Sequence, residues 1–271
     1  MIINRKIFLG LILMQTLSSG FSVQDQDFDG VPDALDHCPN TPFLNQVDDK
    51  GCTTSILKLP YETETNGLTL AIKSGYNTNT NLIGRSRQYS TQLRLTYYLN
   101  TWSYTFRSGY YNDTQKTGSI DTTFRIKKRI ELSSNMNLGL SASIKLPTYD
   151  FVGNKTDYTL ATSLSYYPTD TLSIFAGVGH TFINDQQITT PLHDTNYSYL
   201  GTGYFFTEKF YANLSLNYSE SKFIIEHSAH NIRTTLYYKV NEKWFTTFSY
   251  RRELDENLHD TLNFTVGYKV W

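Results

Sequence analysis

From residue 67 onward polar and apolar residues alternate with a period of two, and no stretch holds a helical period over a useful length. The alternation predicts twelve strands, near 68–76, 88–99, 102–112, 120–132, 136–147, 157–167, 171–183, 195–206, 210–220, 229–240, 244–252 and 261–271. Most are long enough to cross an outer membrane at a tilt, which takes about 9–11 residues. Short turns follow the even-numbered strands: Asn100-Thr101, Ser133-Ser134-Asn135, Pro168-Thr169-Asp170, Thr207-Glu208-Lys209 and Asn241-Glu242-Lys243. Longer connections, such as 77–87, 148–156 and 184–194, follow the odd-numbered ones. An even strand count with alternating connection lengths is the pattern of a bacterial outer-membrane barrel whose chain starts and ends on the periplasmic side.

The turn lengths keep each apolar row on one face, as register demands. Leu93, Leu95, Tyr97 and Leu99 lead across a two-residue turn to Trp102, and Leu132 leads to Met136, Leu138 and Leu140. Ile232, Leu236, Tyr238 and Val240 likewise lead to Trp244 and Phe248. The opposite rows are polar and small, for example Asn137, Gly139, Ser141, Ser143 and Lys145, or Asn263, Thr265, Gly267 and Lys269. They suit a wet interior, whereas a soluble sandwich would turn the apolar rows onto a core. The fold expected is therefore all-β, a 12-stranded antiparallel transmembrane β-barrel. Twenty-one Tyr, sixteen Phe and three Trp are a heavy aromatic load for a polar chain, and many of them crowd the short turns as an interfacial girdle would. Lys128 breaks the lipid-facing row of Phe124, Ile126, Ile130 and Leu132, so a bulge or a snorkelling side chain is expected there. The last strand, Leu262, Phe264, Val266, Tyr268 and Val270 with terminal Trp271, resembles the signal read by the barrel-assembly machinery, although Trp271 falls on the other parity.

The first 66 residues have a different character. Arg5 and Lys6 precede the apolar run Ile7–Met14, and Gly20 and Ser22 are small residues at the spacing of a cleavage after Ser22. Residues 1–22 are thus expected to be a secretory signal peptide. Residues 23–66 carry nine acidic and two basic side chains, a net of −7, while residues 67–271 carry sixteen acidic and twenty basic, a net of +4. Near-neutral charge overall argues against a nucleic-acid partner.

Within the acidic module, Asp25, Asp27, Asp29, Asp33 and Asp36 stand at positions 1, 3, 5, 9 and 12 of a loop with Gly30 at position 6 and the Val31 carbonyl at position 7. Five carboxylates this close repel one another unless a cation gathers them, and a calcium ion accepts six to eight oxygens in irregular geometry. Residues 25–52, with the stretches Asp36-His37-Cys38-Pro39-Asn40-Thr41-Pro42 and Val47-Asp48-Asp49-Lys50-Gly51-Cys52, resemble a thrombospondin type 3 repeat of the bacterial outer-membrane kind. The resemblance implies Ca2+ on Asp25, Asp27, Asp29, Val31, Asp33 and Asp36, and a Cys38–Cys52 disulfide, which export would permit. The expected division is signal peptide 1–22, calcium-binding repeat 23–52, linker 53–66 and barrel 67–271.

The inward parity of the barrel collects Lys73, Arg94, Arg107, Arg125, Lys127, Arg129, Lys145, Arg233, Lys239, Arg251 and Lys269 against few acids such as Glu131. Such a wall concentrates anions. The expected function is a channel in the outer membrane of a Gram-negative bacterium, passing small polar or anionic solutes, with the N-terminal segment in the periplasm. The alternatives are a closed structural barrel that anchors the periplasmic repeat, its cations paired with carboxylates, and a lipid hydrolase acting at the rim. Ile144-Lys145-Leu146-Pro147-Thr148 is similar to the Lys-Leu-Pro-Thr-Gly stretch of outer-membrane channel proteins grouped under phenol degradation, which implies transport of small organic compounds. For the hydrolase, His227-Ser228-Ala229-His230-Asn231 is the candidate cluster, but adjacent His227 and Ser228 would point oppositely on a strand, so no enzyme is expected.

Overall fold

In the computed structural model the described residues are 37, 50, 66–81, 84–113, 116–149, 152–187, 190–255 and 258–270. The chain divides into two units, Met1–Ser55 and Ile56–Trp271. The second unit contains twelve strands: β1 (Asn66–Asn81), β2 (Gly84–Leu99), β3 (Trp102–Asp113), β4 (Thr117–Ser133), β5 (Met136–Leu146), β6 (Asp157–Tyr166), β7 (Leu172–Phe182), β8 (Thr195–Thr207), β9 (Phe210–Ser219), β10 (Ala229–Lys239), β11 (Trp244–Glu253) and β12 (Leu258–Lys269). Each pairs antiparallel with its sequence neighbours, and β1 pairs with β12 to close the barrel. Closure leaves no edge strand and satisfies the backbone within the wall, as a hydrocarbon surround requires.

The burial is inverted relative to a water-soluble domain. Leu93, Trp102, Phe124, Leu140, Leu160, Val178, Leu200, Leu216, Phe248 and Phe264 are among the large apolar side chains exposed on the outer wall. The buried apolar side chains among the described residues are only Ala71, Tyr111, Phe205, Tyr211 and Phe245. An apolar exterior around a closed antiparallel ladder is the wall of a transmembrane barrel. No helix among the described residues is long and apolar enough to cross a membrane.

Two expectations need correction. The connection expected over 77–87 is mostly strand, because β1 runs to Asn81 and β2 starts at Gly84 in continuous register. Alternation fades there, since a hairpin that leaves the apolar layer needs only its backbone ladder. Asn77 instead donates its side-chain amide to Gln88 Oε1 across the strands at 3.2 Å. Long connections after odd strands are therefore 147–156, 183–194 and 220–228, not the first. At Lys128, where a bulge or a snorkelling side chain is expected, the ladder shows no bulge, which leaves the side-chain alternative. Register shifts in β4 lie between Arg107 and Gly109 of the β3 partner and between Glu131 and Ser133 of β4 itself. A Cβ at Gly109 would press on the Thr91 carbonyl, so this irregular position takes a residue without one. The second correction is the interior, described next.

Candidate functional site

Alternate residues of β4 separate into two spaces. Arg125, Lys127 and Arg129 line a cavity inside the barrel, of about 420 Å3, while Ile126 and Lys128 line a groove on the outer wall. Arg94, Arg107 and Lys269 join the same inner cavity, so six of the eleven cations singled out from the sequence meet in one space. No Asp or Glu is among its described lining residues. Arg94 stands directly opposite Arg107, and Arg233 directly opposite Arg251. Like charges facing across a ladder disfavour the fold, so they point to a use other than stability. Lys73 lies within electrostatic reach of all four of these arginines, which extends the cationic wall over β1, β2, β3, β10 and β11. Arg107, Arg125 and Arg233 are exposed although they share the inward rows. Their guanidinium groups thus border open space within the barrel.

The remaining candidates are differently engaged. Lys145 Nζ lies 2.5 Å from Asp157 Oδ2 and 3.6 Å from Asp121 Oδ2. Lys239 pairs with Glu242 at 2.7 Å beside the β10–β11 turn, and Arg129, one of the six that line the cavity, also stands 3.8 Å from Glu131. Arg251 donates to Thr261 Oγ1 at 3.1 Å.

The Gly- and Ser-rich rows of the opposite wall are drier than their composition suggests. Phe245 lies over Gly267, Tyr211 over Gly203, and Tyr199 over Gly177, each ring occupying the space a Cβ would need. Ser173, 2% exposed, shares a hydrogen bond of 3.0 Å with the Tyr211 hydroxyl. Phe205 packs on Tyr211 with ring centroids 4.6 Å apart, and Tyr237 on Phe245 at 5.6 Å. The glycines admit cross-strand rings and do not simply widen a water-filled lumen. Aromatic side chains of β8–β11 thus fill part of the interior, and Tyr211, Tyr237 and Phe245 among them line the same cavity as the cations.

At the long-loop end a network absent from the sequence analysis ties connections to the inward face. Asp157, 1% exposed, accepts the Asn184 amide at 2.9 Å in addition to its ion pair with Lys145. Asp121 accepts the Tyr149 amide and the Asn154 side chain, both at 2.8 Å. Lys222 Nζ reaches Asp185 Oδ2 at 2.6 Å, and the Lys155 amide donates to Asp185 Oδ1 at 2.9 Å. Burial disfavours the Asp185 charge, but the Lys222 ammonium and the Lys155 amide outweigh it and hold the carboxyl below the usual carboxylate range. Leu192 bridges to Phe223, so connections 183–194 and 220–228 are paired as well. The sequence did carry one cue: Lys145 and Asp157 are inward residues that face each other across β5 and β6.

The cluster 227–231 does not assemble a nucleophile with a base. His230 Nδ1 is 3.2 Å from Asp255 Oδ1, whereas Ser228 Oγ shares a hydrogen bond with the Tyr218 hydroxyl at 3.1 Å. In the N-terminal unit the described residues are His37 and Lys50, joined by a 2.8 Å hydrogen bond from the His37 amide to the Lys50 carbonyl. Asp25, Asp27, Asp29, Val31, Asp33, Asp36, Cys38, Cys52 and Trp271 lie outside the described residues.

No protein-family model matches the sequence, and no curated protein matches it. Among solved structures the chain is similar to the NanC porin, with a TM-score of 0.57 and 13% identity over 74% of this chain and 100% of that one. It is also similar to the KdgM porin in complex with disordered oligogalacturonate, with a TM-score of 0.52 and 12% identity over 73% of this chain and 98% of that one. At such identities the likeness is one of fold.

Proposed function

We propose that this chain is an outer-membrane channel that passes small polar and anionic solutes, with the cationic wall of its lumen setting the preference. The observation that carries this reading is the exposure of Arg107, Arg125 and Arg233 on inward rows, next to a cavity whose described lining has six cations and no carboxylate. Cations along a low-dielectric wall raise the local concentration of anions and lower the barrier to their entry. The KdgM porin, whose barrel is similar, has been seen with oligogalacturonate, which is a polyanion. The resemblance of residues 144–148 to channel proteins supports the same class of function. Residues 23–52 are read as a periplasmic calcium-binding repeat that holds Ca2+ through Asp25, Asp27, Asp29, the Val31 carbonyl, Asp33 and Asp36, closed by a Cys38–Cys52 disulfide. The donor set fits: all are hard oxygens, and the metal supplies the charge neutralisation the loop lacks. The hydrogen bond between His37 and Lys50 brings together the residue before Cys38 and the residue two positions before Cys52, which favours the closed loop.

Recording single channels in planar bilayers under a KCl gradient tests the channel directly. A conductance whose reversal potential shows preference for chloride is the expected result. A cation preference overturns the role given to the arginines. Absence of conductance favours the second reading, a closed barrel, for which the aromatic filling beside β8–β11 and the knitted loops speak.

A further inference from the structure

Lys128 is a cation that the lumen does not use. It sits on the outward row of β4 with its ammonium 5.3 Å from the centroid of the Trp102 ring. A charge on the lipid-facing wall is costly unless it reaches the polar layer or meets a counter-charge. Trp102 is the first residue of β3 after the tight turn at 100–101, which places the pair near the short-turn rim.

The pair also marks one end of the outward groove, an open trough of about 900 Å3. Its course follows the ladder: Lys128 is opposite Leu140, Leu140 opposite Thr162, Thr162 opposite Val178, and Val178 opposite Ser198. In a barrel of tilted strands such a row climbs obliquely across the wall. Ala142, Thr162 and Ser198 are short and recess the floor, while Leu140, Leu160 and Val178 stand exposed around them. The groove is open along its length and lined mostly by apolar atoms. One cation at the interface, backed by an indole, opens onto an apolar trough long enough to cross several strands. That combination complements a molecule with one anionic head and a long hydrocarbon tail.

We propose that this groove binds a membrane glycerophospholipid with an anionic headgroup, its phosphate on Lys128 and one acyl chain along the floor past Ala142 and Thr162. The site depends on the barrel lying in a bilayer and is independent of whether the lumen conducts. An anionic headgroup on one lysine favours occupancy by about fivefold over a zwitterionic lipid.

Trp102 supplies the probe. The full chain is folded into phosphatidylcholine vesicles that contain a minor fraction of lipid brominated along its acyl chains, either phosphatidylglycerol or phosphatidylcholine. A Trp102→Phe variant identifies the part of the fluorescence that Trp102 contributes. Brominated phosphatidylglycerol is expected to quench that part several-fold more effectively than brominated phosphatidylcholine. The preference is lost in Lys128→Met and kept in Lys128→Arg. Ala142→Leu fills the floor without altering charge, and it lowers quenching by both lipids. Heat-dependent gel mobility identifies folded barrels, and each substitution suits a lipid-facing wall. Equal quenching by the two lipids in the native chain overturns the headgroup assignment, as does a preference that survives Lys128→Met. Unchanged quenching in Ala142→Leu overturns the acyl path.

Discussion

Asp185 illustrates how a single side chain can lock an otherwise open connection. Its carboxylate is fully enclosed, with Lys222 Nζ 2.6 Å away and the Lys155 amide as a second donor. Because these donors hold its ionisation below the usual range, the charged form stabilises the folded loops at every pH above the unfolded carboxylate value of about 3.9. That contribution is lost only as the pH falls through the still lower folded value. Amide exchange at Lys155 and Gln186 should therefore stay slow under mild acidification and accelerate only below the ordinary carboxylate range. Lys222→Met removes the ammonium while leaving the carboxyl enclosed, so burial then dominates and the onset of rapid exchange moves to higher pH. Hydrogen–deuterium exchange followed by mass spectrometry measures both, and an onset that Lys222→Met does not move would remove Asp185 as the lock. No alternation rule points to Asp185 or Lys222, because both lie in irregular connections. Their meeting is set by the path of two loops, which leaves no period in the chain.

Strand positions, by contrast, were readable wherever one face of a strand must be apolar. The hairpin turns at Asn100-Thr101 and between β8 and β9 fell where the apolar rows change direction, and Asn100 takes the left-handed φ of 53° that such a tight turn needs. The pattern failed where the outer layer no longer imposes a sidedness, as at the extended tips of β1 and β2. It failed differently inside the barrel. Glycine beside serine looks like a wet wall, but Gly203 and Gly267 are the places where the Tyr211 and Phe245 rings can lie against the backbone. Whether a small residue marks empty space or a partner's ring depends on the diagonal neighbour one strand away, and that requires the register. Phe245 is 8% exposed and faces the same cavity as Arg94 and Arg107. Phe245→Ala is expected to cost about 3 kcal/mol of folding stability as a buried ring lost from a packed wall. In single-channel recordings of the variant, the vacated volume should raise conductance above that of the native chain. An unchanged conductance would separate the aromatic side from the conducting path and leave the cationic wall alone to line it.

Charge is divided unevenly between two parts of the chain, a net of −7 over residues 23–66 and +4 over residues 67–271. The barrel closes through the β1–β12 ladder, which begins after residue 65, so its hydrogen bonding is complete without the acidic segment. The segment at residues 23–52 is short, its few apolar residues are too scattered to build a core, and five aspartates within twelve positions oppose compaction. On the proposed reading metal and a disulfide would hold it, the latter closing a loop of about 15 residues worth on the order of 3 kcal/mol in the chain-entropy treatment. The two parts should therefore come apart in a chelation experiment on the full chain. With excess EGTA, limited proteolysis is expected to cut within residues 23–52, while the barrel keeps its heat-dependent gel mobility and its β-sheet circular dichroism. Restored calcium should restore protection, and reduction of the cysteines should add to the effect of the chelator because it removes an independent constraint. Cleavage that is equally fast with and without calcium would leave the acidic run a solvated tether. Loss of the barrel on chelation would mean that calcium stabilises the strands themselves, contrary to a ladder that closes on its own.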